Sequence, residues 1–218
     1  MKKKALICPG GGYQLIGTNE GEPVARRFAE RGYDACVLSY ATGARAVFTG
    51  RGFADFEPAR ELADALAQAR AGAGPDGFII LAGFSAGGHL AAGYCLTHAM
   101  GDDVPLPDAL MLSYPMLQLG SSYQVDNAAR AAFDIPAQVR EYGLPDRAKN
   151  LPIHIWHSTT DEMVPYESSP AFVKLLEAAG ARVHFTKFEA GRHGDPATTP
   201  GWFEAAMEYI ENRYSVLV

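Results

Sequence analysis

The sequence predicts an α/β protein: a three-layer α/β/α sandwich around a doubly wound, mostly parallel sheet of about six strands. Short apolar runs alternate with helical patterns six times along the chain. The apolar runs are continuous, as in strands that helices cover on both faces. No internal repeat or low-complexity linker divides the sequence, so one domain over 1–218 is expected, with a small insertion at about 118–150.

The strands and helices are predicted in order from these patterns. Strands are expected at 5–8, 35–40, 78–84, 109–114, 153–157 and 183–188. Helices are expected at 23–31, 58–71, 86–98 and 169–179, with a last helix beginning at 199, and the segments 41–57 and 118–150 are expected to be irregular. In the fourth helix, Ser169 supplies a capping hydroxyl, Pro170 lies in the first turn, and Gly180 ends the apolar periodicity.

Composition excludes several classes of protein. The net charge is −6 and the one basic run is Lys2-Lys3-Lys4, so a nucleic-acid partner is not expected. No apolar stretch approaches the roughly 18 to 20 residues of a membrane helix, and the first apolar run is too short for a signal peptide. The three cysteines each lie in an apolar run, which predicts buried, reduced thiols and a cytoplasmic location. No CxxC or HExxH spacing indicates a metal, and no cofactor is expected.

A nucleophile elbow is predicted at Gly83-Phe-Ser-Ala-Gly87. This G-x-S-x-G pattern follows the most apolar strand and begins a helix, which is the context in which the motif presents a reactive serine. Small flanking residues allow the sharp turn, and Ser85 would project above the sheet. The alternative is a helix N-cap serine in a glycine-rich turn.

A glycine-rich loop, Pro9-Gly-Gly-Gly-Tyr13, follows the first strand. Backbone N–H groups of such a loop can point at a developing oxyanion. A phosphate cradle is the alternative, but the loop has neither a GK[ST] ending nor G-x-G-x-x-G spacing. Together with an elbow, which needs a second N–H donor from this place, the loop indicates an oxyanion hole.

A serine nucleophile needs a base and an orienting acid. Among the six histidines, His193 lies in a loop that follows a strand, whereas structural or solvated roles are expected for the others. Two adjacent carboxylates, Asp161 and Glu162, follow the strand 153–157, and the pattern alone leaves both open as the acid. Asp195 is expected only to shape its loop.

The ordered motifs resemble the α/β-hydrolase superfamily, and within it the small bacterial acetyl-esterase and feruloyl-esterase-like branch related to hormone-sensitive lipase. The matching segments are 9–13, 20–25, 83–90, 113–115, 157–165 and 191–194. The resemblance implies Ser85, Asp161 and His193 as catalytic residues, in the Ser-Asp-His order of the family. It also implies oxyanion donors at the N–H groups of Gly11, Gly12 and Ala86.

Two departures from the family pattern stand out. Pro9 replaces the histidine that precedes the three glycines in many relatives, so that the histidine's bracing of the loop is absent. The chain also begins at the strand before this loop, so a compact fold without the N-terminal strands and cap is expected.

The resemblance implies a serine esterase that hydrolyses short-chain, acetyl-type carboxylic esters of a small molecule, with acetylated sugars as one class of substrate. Alternatives are an aryl formamidase or peptidase with the same triad, or a catalytically silent binding protein. Tyr13, Tyr123, Phe133 and Tyr142 are candidates for the pocket wall. An exposed edge at 35–40 would need covering, and a homodimer is one arrangement that does so.

Overall fold

The computed structural model of the chain describes residues 1–215. Its six strands form one parallel sheet in the order β2-β1-β3-β4-β5-β6, which confirms the predicted fold class. The strands are β1 Lys3–Cys8, β2 Asp34–Val37, β3 Phe78–Phe84, β4 Ala109–Ser113, β5 Pro152–Ser158 and β6 Arg182–Phe188. The helices of the described part are α1 Glu22–Glu30, α2 Glu57–Ala73, α3 Ser85–Leu96, α4 Asn127–Ala132, α5 Ile135–Tyr142, α6 Asp146–Lys149, α7 Ser168–Ala178 and α8 Trp202–Ser215.

The strand order places a crevice between β1 and β3. The chain runs from β1 outward to β2, then returns across β1 to β3 and continues in the opposite direction to β6. Loops that leave two neighbouring strands in opposite directions open a crevice at the carboxyl edge of the sheet. The glycine-rich loop after β1 and the serine turn after β3 therefore border the same crevice.

Helix α3 lies directly on the sheet and is buried along its whole length. Its glycines permit this close approach. A Cβ atom at Gly87 would lie 2.0 Å from the carbonyl oxygen of Cys8, and one at Gly93 would lie 2.0 Å from the Phe53 ring. The first turn of α3, and with it Ser85, is thus held against β1.

Three predictions about the fold are corrected. The insertion is not irregular but forms three short helices, α4 to α6, because Asp126 and Asp134 cap α4 and α5 by accepting the N–H groups of Ala129 and Ala137. Strand β2 ends at Val37 and is an edge strand whose residues alternate in exposure. For that reason Cys36 is exposed, whereas the other two cysteines are buried as predicted.

No helix among residues 1–215 is both long and apolar enough to cross a membrane.

Two buried histidines give the fold a pH-dependent stability. Burial lowers the pKa of His89 to about 4 and that of His154 to about 3. In the unfolded chain a histidine titrates near about 6.5, so acid protonates the unfolded state first. The contribution of the two neutral histidines to the free energy of unfolding is therefore complete above about pH 6.5, and it falls as the pH drops towards the pKa values of the folded state.

We expect each of these two histidines to remove about 1.4 kcal/mol of unfolding free energy between pH 7.5 and pH 5.5. Urea denaturation at the two pH values measures this loss. The raised pKa of Glu20 acts in the opposite direction, so the informative quantity is the difference between wild type and His154→Gln. The variant should lose about 1.4 kcal/mol less than wild type over this pH range, and an equal loss would contradict the assignment to His154.

Candidate active site

Ser85 occupies the turn between β3 and α3. Its backbone is left-handed, with φ of +50°, and its side chain lies at the foot of a cleft with 8 % of the residue exposed. This strained strand-turn-helix geometry is that of a nucleophile elbow. The carbonyl oxygen of Ser85 accepts the N–H of Met116 at 3.1 Å, which ties the turn to the loop after β4.

The structure brings His193 and Asp161 to this serine. Ser85 Oγ lies 2.8 Å from His193 Nε2, and His193 Nδ1 lies 2.8 Å from Asp161 Oδ2. Asp161 and His193 follow β5 and β6, which are neighbours in the sheet, so their loops meet. Thr160 Oγ1 donates to the carbonyl oxygen of Gly191 at 2.8 Å and fastens one loop to the other.

The carboxylate of Asp161 is ionised by its surroundings. Burial by itself would raise its pKa, but hydrogen bonds from His157, His193 and the backbone N–H groups of Val164 and Met163 outweigh burial and hold the pKa well below its usual range. A negative charge beside Nδ1 favours the tautomer that carries its proton there. Nε2 is then left free to accept the serine proton.

The sequence left Asp161 and Glu162 open as the acid, and the geometry separates them. Asp161 faces the imidazole, whereas Glu162 accepts the backbone N–H of His193 at 3.4 Å. Glu162 therefore contacts the backbone of the loop but not the ring.

His157 was expected to be a structural histidine of a strand, but it contacts the same carboxylate. Its Nε2 lies 3.0 Å from Asp161 Oδ2, and its Nδ1 lies 2.8 Å from Ser169 Oγ. The side chain is fully buried. Neither residue lies in a helix, so their spacing of four gave no signal of this contact in the sequence.

Two of the three predicted oxyanion donors, Gly11 and Gly12, border the cleft, whereas Ala86 is fully buried next to Ser85. Gly11 and Gly12 have φ of +114° and +60° and line the cleft beside Ser85. Among the hydrogen bonds of residues 1–215, none uses the N–H of Gly11 or Gly12. Ala86 lies in the first turn of α3, where N–H groups have no acceptor within the helix. The role of these three N–H groups as oxyanion donors stays a prediction.

The glycine loop is held in place although the family histidine is absent. Glu20, which the sequence did not single out as a site residue, accepts the N–H of Gly10 with Oε2 at 2.6 Å. Tyr123 donates its hydroxyl to the carbonyl oxygen of Gly12 at 2.8 Å. These two side chains brace the loop from opposite ends.

The cleft above Ser85 has a volume of about 1450 Å³. Tyr123 lines it, as predicted for a wall residue. Tyr13 and Phe133 do not, because both are fully buried in a cluster of aromatic rings around Phe56. Tyr142 is 58 % exposed at the end of α5 and is not among the residues that line the cleft, so these three predictions are wrong.

The remaining lining of the cleft combines apolar side chains with neutral polar ones and with the charged residues Glu20, Asp134 and Arg140. Residues of the segments 41–57 and 118–150 both contribute to it. Besides Ser85 and Tyr123, the amide and hydroxyl residues of the lining are Gln14, Thr18, Asn19, Gln118, Ser122, Gln124 and Ser168. Within residues 1–215, no three His, Cys, Asp or Glu side chains are grouped so as to hold a metal ion.

Comparison with known proteins finds chains that are similar in sequence and in fold. No family model matches the chain. A curated relative, endo-1,4-beta-xylanase B of Butyrivibrio fibrisolvens, is 30 % identical in an alignment 208 residues long that covers 87 % of this chain and 32 % of that protein. The chain thus spans about a third of the relative's length.

Solved structures show the same fold. An α/β-hydrolase enzyme from a Medee basin deep-sea metagenome library is 27 % identical, with a TM-score of 0.73 over 97 % of this chain and 85 % of that one. The acetyl ester-xyloside bifunctional hydrolase of Caldicellulosiruptor lactoaceticus is 23 % identical, with a TM-score of 0.75 over 97 % and 83 %. The propionate-bound thermophilic esterase Est2 of Thermogutta terrifontis is 24 % identical, with a TM-score of 0.69 over 99 % and 83 %. With this sheet order and a serine turn after β3, the chain has the fold of the α/β hydrolases.

Proposed function

We propose that the protein is a serine esterase that hydrolyses short-chain, acetyl-type carboxylic esters, with an acylated sugar as its substrate. The observation that carries the proposal is the continuous series of contacts from Ser85 Oγ to His193 and on to Asp161, each 2.8 Å long, at the foot of the cleft. A nucleophile, a base and an orienting acid in this geometry are the components of acyl transfer.

The reaction follows from these contacts. His193 Nε2 takes the proton of Ser85 Oγ as the oxygen attacks the ester carbonyl, and the carbonyl oxygen becomes an oxyanion facing the N–H groups of Gly11, Gly12 and Ala86. The imidazolium then gives its proton to the leaving alcohol, and an acyl-serine remains. Water repeats the sequence, with His193 again as base, and releases the acid. Asp161 stabilises the imidazolium in both halves.

The lining of the cleft supports a sugar as the alcohol. Amide and hydroxyl groups both donate and accept hydrogen bonds, which suits the hydroxyl groups of a carbohydrate without requiring a charge. The xylanase relative and the acetyl ester-xyloside hydrolase carry sugar substrates in their names. The name of the acetyl ester-xyloside hydrolase includes an acetyl ester, and the thermophilic esterase has propionate bound. Both favour a short acyl group.

A substrate panel tests this proposal. We expect kcat/KM for p-nitrophenyl acetate to exceed that for the octanoate by at least about tenfold, because a pocket fitted to a short chain discriminates against added methylenes. Acetylated xylobiose should be deacetylated faster than N-formylkynurenine is deformylated. A preference for octanoate would contradict the short acyl group, and faster deformylation would favour the formamidase alternative.

A further inference from the structure

Glu20 is a buried carboxylate in the loop between β1 and α1. The residue is only 2 % exposed, and no lysine or arginine of residues 1–215 forms an ion pair with it. Burying a carboxylate without a cation is costly unless hydrogen bonds compensate. Burial accordingly raises its pKa, while hydrogen bonds from Tyr114 and Gly10 act in the opposite direction.

The two hydrogen-bond donors of Glu20 belong to two different parts of the active site. Gly10, which donates to Oε2 at 2.6 Å, directly precedes the predicted oxyanion donors. Tyr114, which donates to Oε1 at 2.8 Å, follows β4 and has a left-handed backbone with φ of +36°. The Tyr114 ring lies 4.9 Å from the His193 ring, centroid to centroid. One carboxylate thus connects the oxyanion loop to the side chain that packs on the base.

The glycine loop is wrapped closely around this carboxylate. A Cβ atom at Gly10 would lie 2.8 Å from Glu20 Oε2 and 2.7 Å from Ser85 Cβ. A Cβ atom at Gly17 would lie 2.5 Å from the same oxygen. The N–H of Gly17 donates to the carbonyl oxygen of Gly10 at 2.9 Å and closes the loop. The carboxylate therefore fills the space that sets the distance between the loop and Ser85.

We propose that Glu20 is a positioning residue, a role that rests on the esterase function proposed above. Glu20 holds the oxyanion loop and, through Tyr114, the imidazole of His193 in the geometry that the transition state requires. A loop of consecutive glycines has many accessible conformations, so one strong acceptor fixes it most effectively. A displacement of about 1 Å in a catalytic group can lower the rate about 10²-fold.

This role predicts a particular pattern among variants. Glu20→Ala should lower kcat on p-nitrophenyl acetate by about 10²-fold, with KM within about threefold of wild type, because the oxyanion forms only during the reaction. Glu20→Gln should retain kcat within about fivefold, since its amide oxygen can accept from Gly10 and its amide nitrogen can donate to Tyr114. Tyr114→Phe removes one of the two hydrogen bonds and should lower kcat about tenfold. The control is Glu22→Gln, an exposed carboxylate paired with Arg26, which should behave as wild type.

Affinity for a trifluoromethyl ketone, which forms an oxyanion on the serine, should fall in parallel with kcat/KM across these variants. A folded Glu20→Ala variant with wild-type kcat would overturn the proposal, whether or not its KM is raised. Equal losses of kcat in Glu20→Gln and Glu20→Ala would show that the negative charge of Glu20 is responsible, and this would contradict a positioning role. If Glu20→Ala does not fold, Tyr114→Phe decides, because an unchanged kcat there overturns the role. A wild-type protein without esterase activity would refute the proposed function itself, and with it this role.

Discussion

Ser85→Ala is expected to lose esterase turnover by a factor on the order of 10⁶ while remaining folded. Without Oγ there is no atom at 2.8 Å from His193 Nε2 to be deprotonated and to attack the ester. The rates of p-nitrophenyl acetate hydrolysis by variant and wild type measure the loss. The melting temperature should stay close to that of wild type, because the hydroxyl is the single group removed.

A fluorophosphonate probe identifies the nucleophile independently of any substrate. Ser85 of the wild type should gain the mass of the probe's phosphonyl group, with fluoride as the leaving group, and the variant should gain none. Ser121→Ala is a matched control, because Ser121 is exposed, lies in the same chain segment as the cleft-lining Tyr123 and is not itself among the lining residues. Near-normal turnover by Ser85→Ala, or labelling at another residue, would show that the assignment of the nucleophile is wrong.

Asp161→Asn is expected to lower kcat by about 10⁴-fold through the tautomer of His193. Asp161 Oδ1 accepts the backbone N–H groups of Met163 and Val164, both at 2.9 Å, and these donors cannot become acceptors. The amide oxygen of the asparagine must therefore stay on that side, and its NH₂ group must face the two imidazoles. His193 would then accept a hydrogen bond at Nδ1 and carry its own proton on Nε2. A protonated Nε2 cannot take the proton of Ser85.

The adjacent carboxylate supplies the control for this prediction. Glu162→Gln should keep kcat within about threefold of wild type, because its side chain contacts only the backbone N–H of His193 and an amide oxygen can accept the same bond. The reverse result, a large loss in Glu162→Gln with an active Asp161→Asn, would make Glu162 the acid. Steady-state kinetics of both variants, with circular dichroism to verify folding, distinguish these outcomes.

The sequence by itself determined the features that depend on neighbouring residues. Continuous apolar runs predicted the parallel sheet, and small residues around Ser85 predicted the sharp turn that begins α3. Because parallel strands bring all their carboxyl ends to one edge, the order of the motifs along the chain sufficed to place the loops of Ser85, Asp161 and His193 together.

Only the tertiary structure decided which side chains of those loops face one another. Asp161 and Glu162 are adjacent and chemically alike, and the path of the turn after β5 selects the one that reaches His193. Tyr13 reads as a wall residue of the cleft in sequence, but its left-handed backbone, with φ of +59°, is accompanied by a side chain buried in the core. Glu20 was not singled out in the sequence, and only the folded loop shows that its carboxylate is buried. Such contacts depend on chain segments far apart in sequence, and packing in three dimensions determines them.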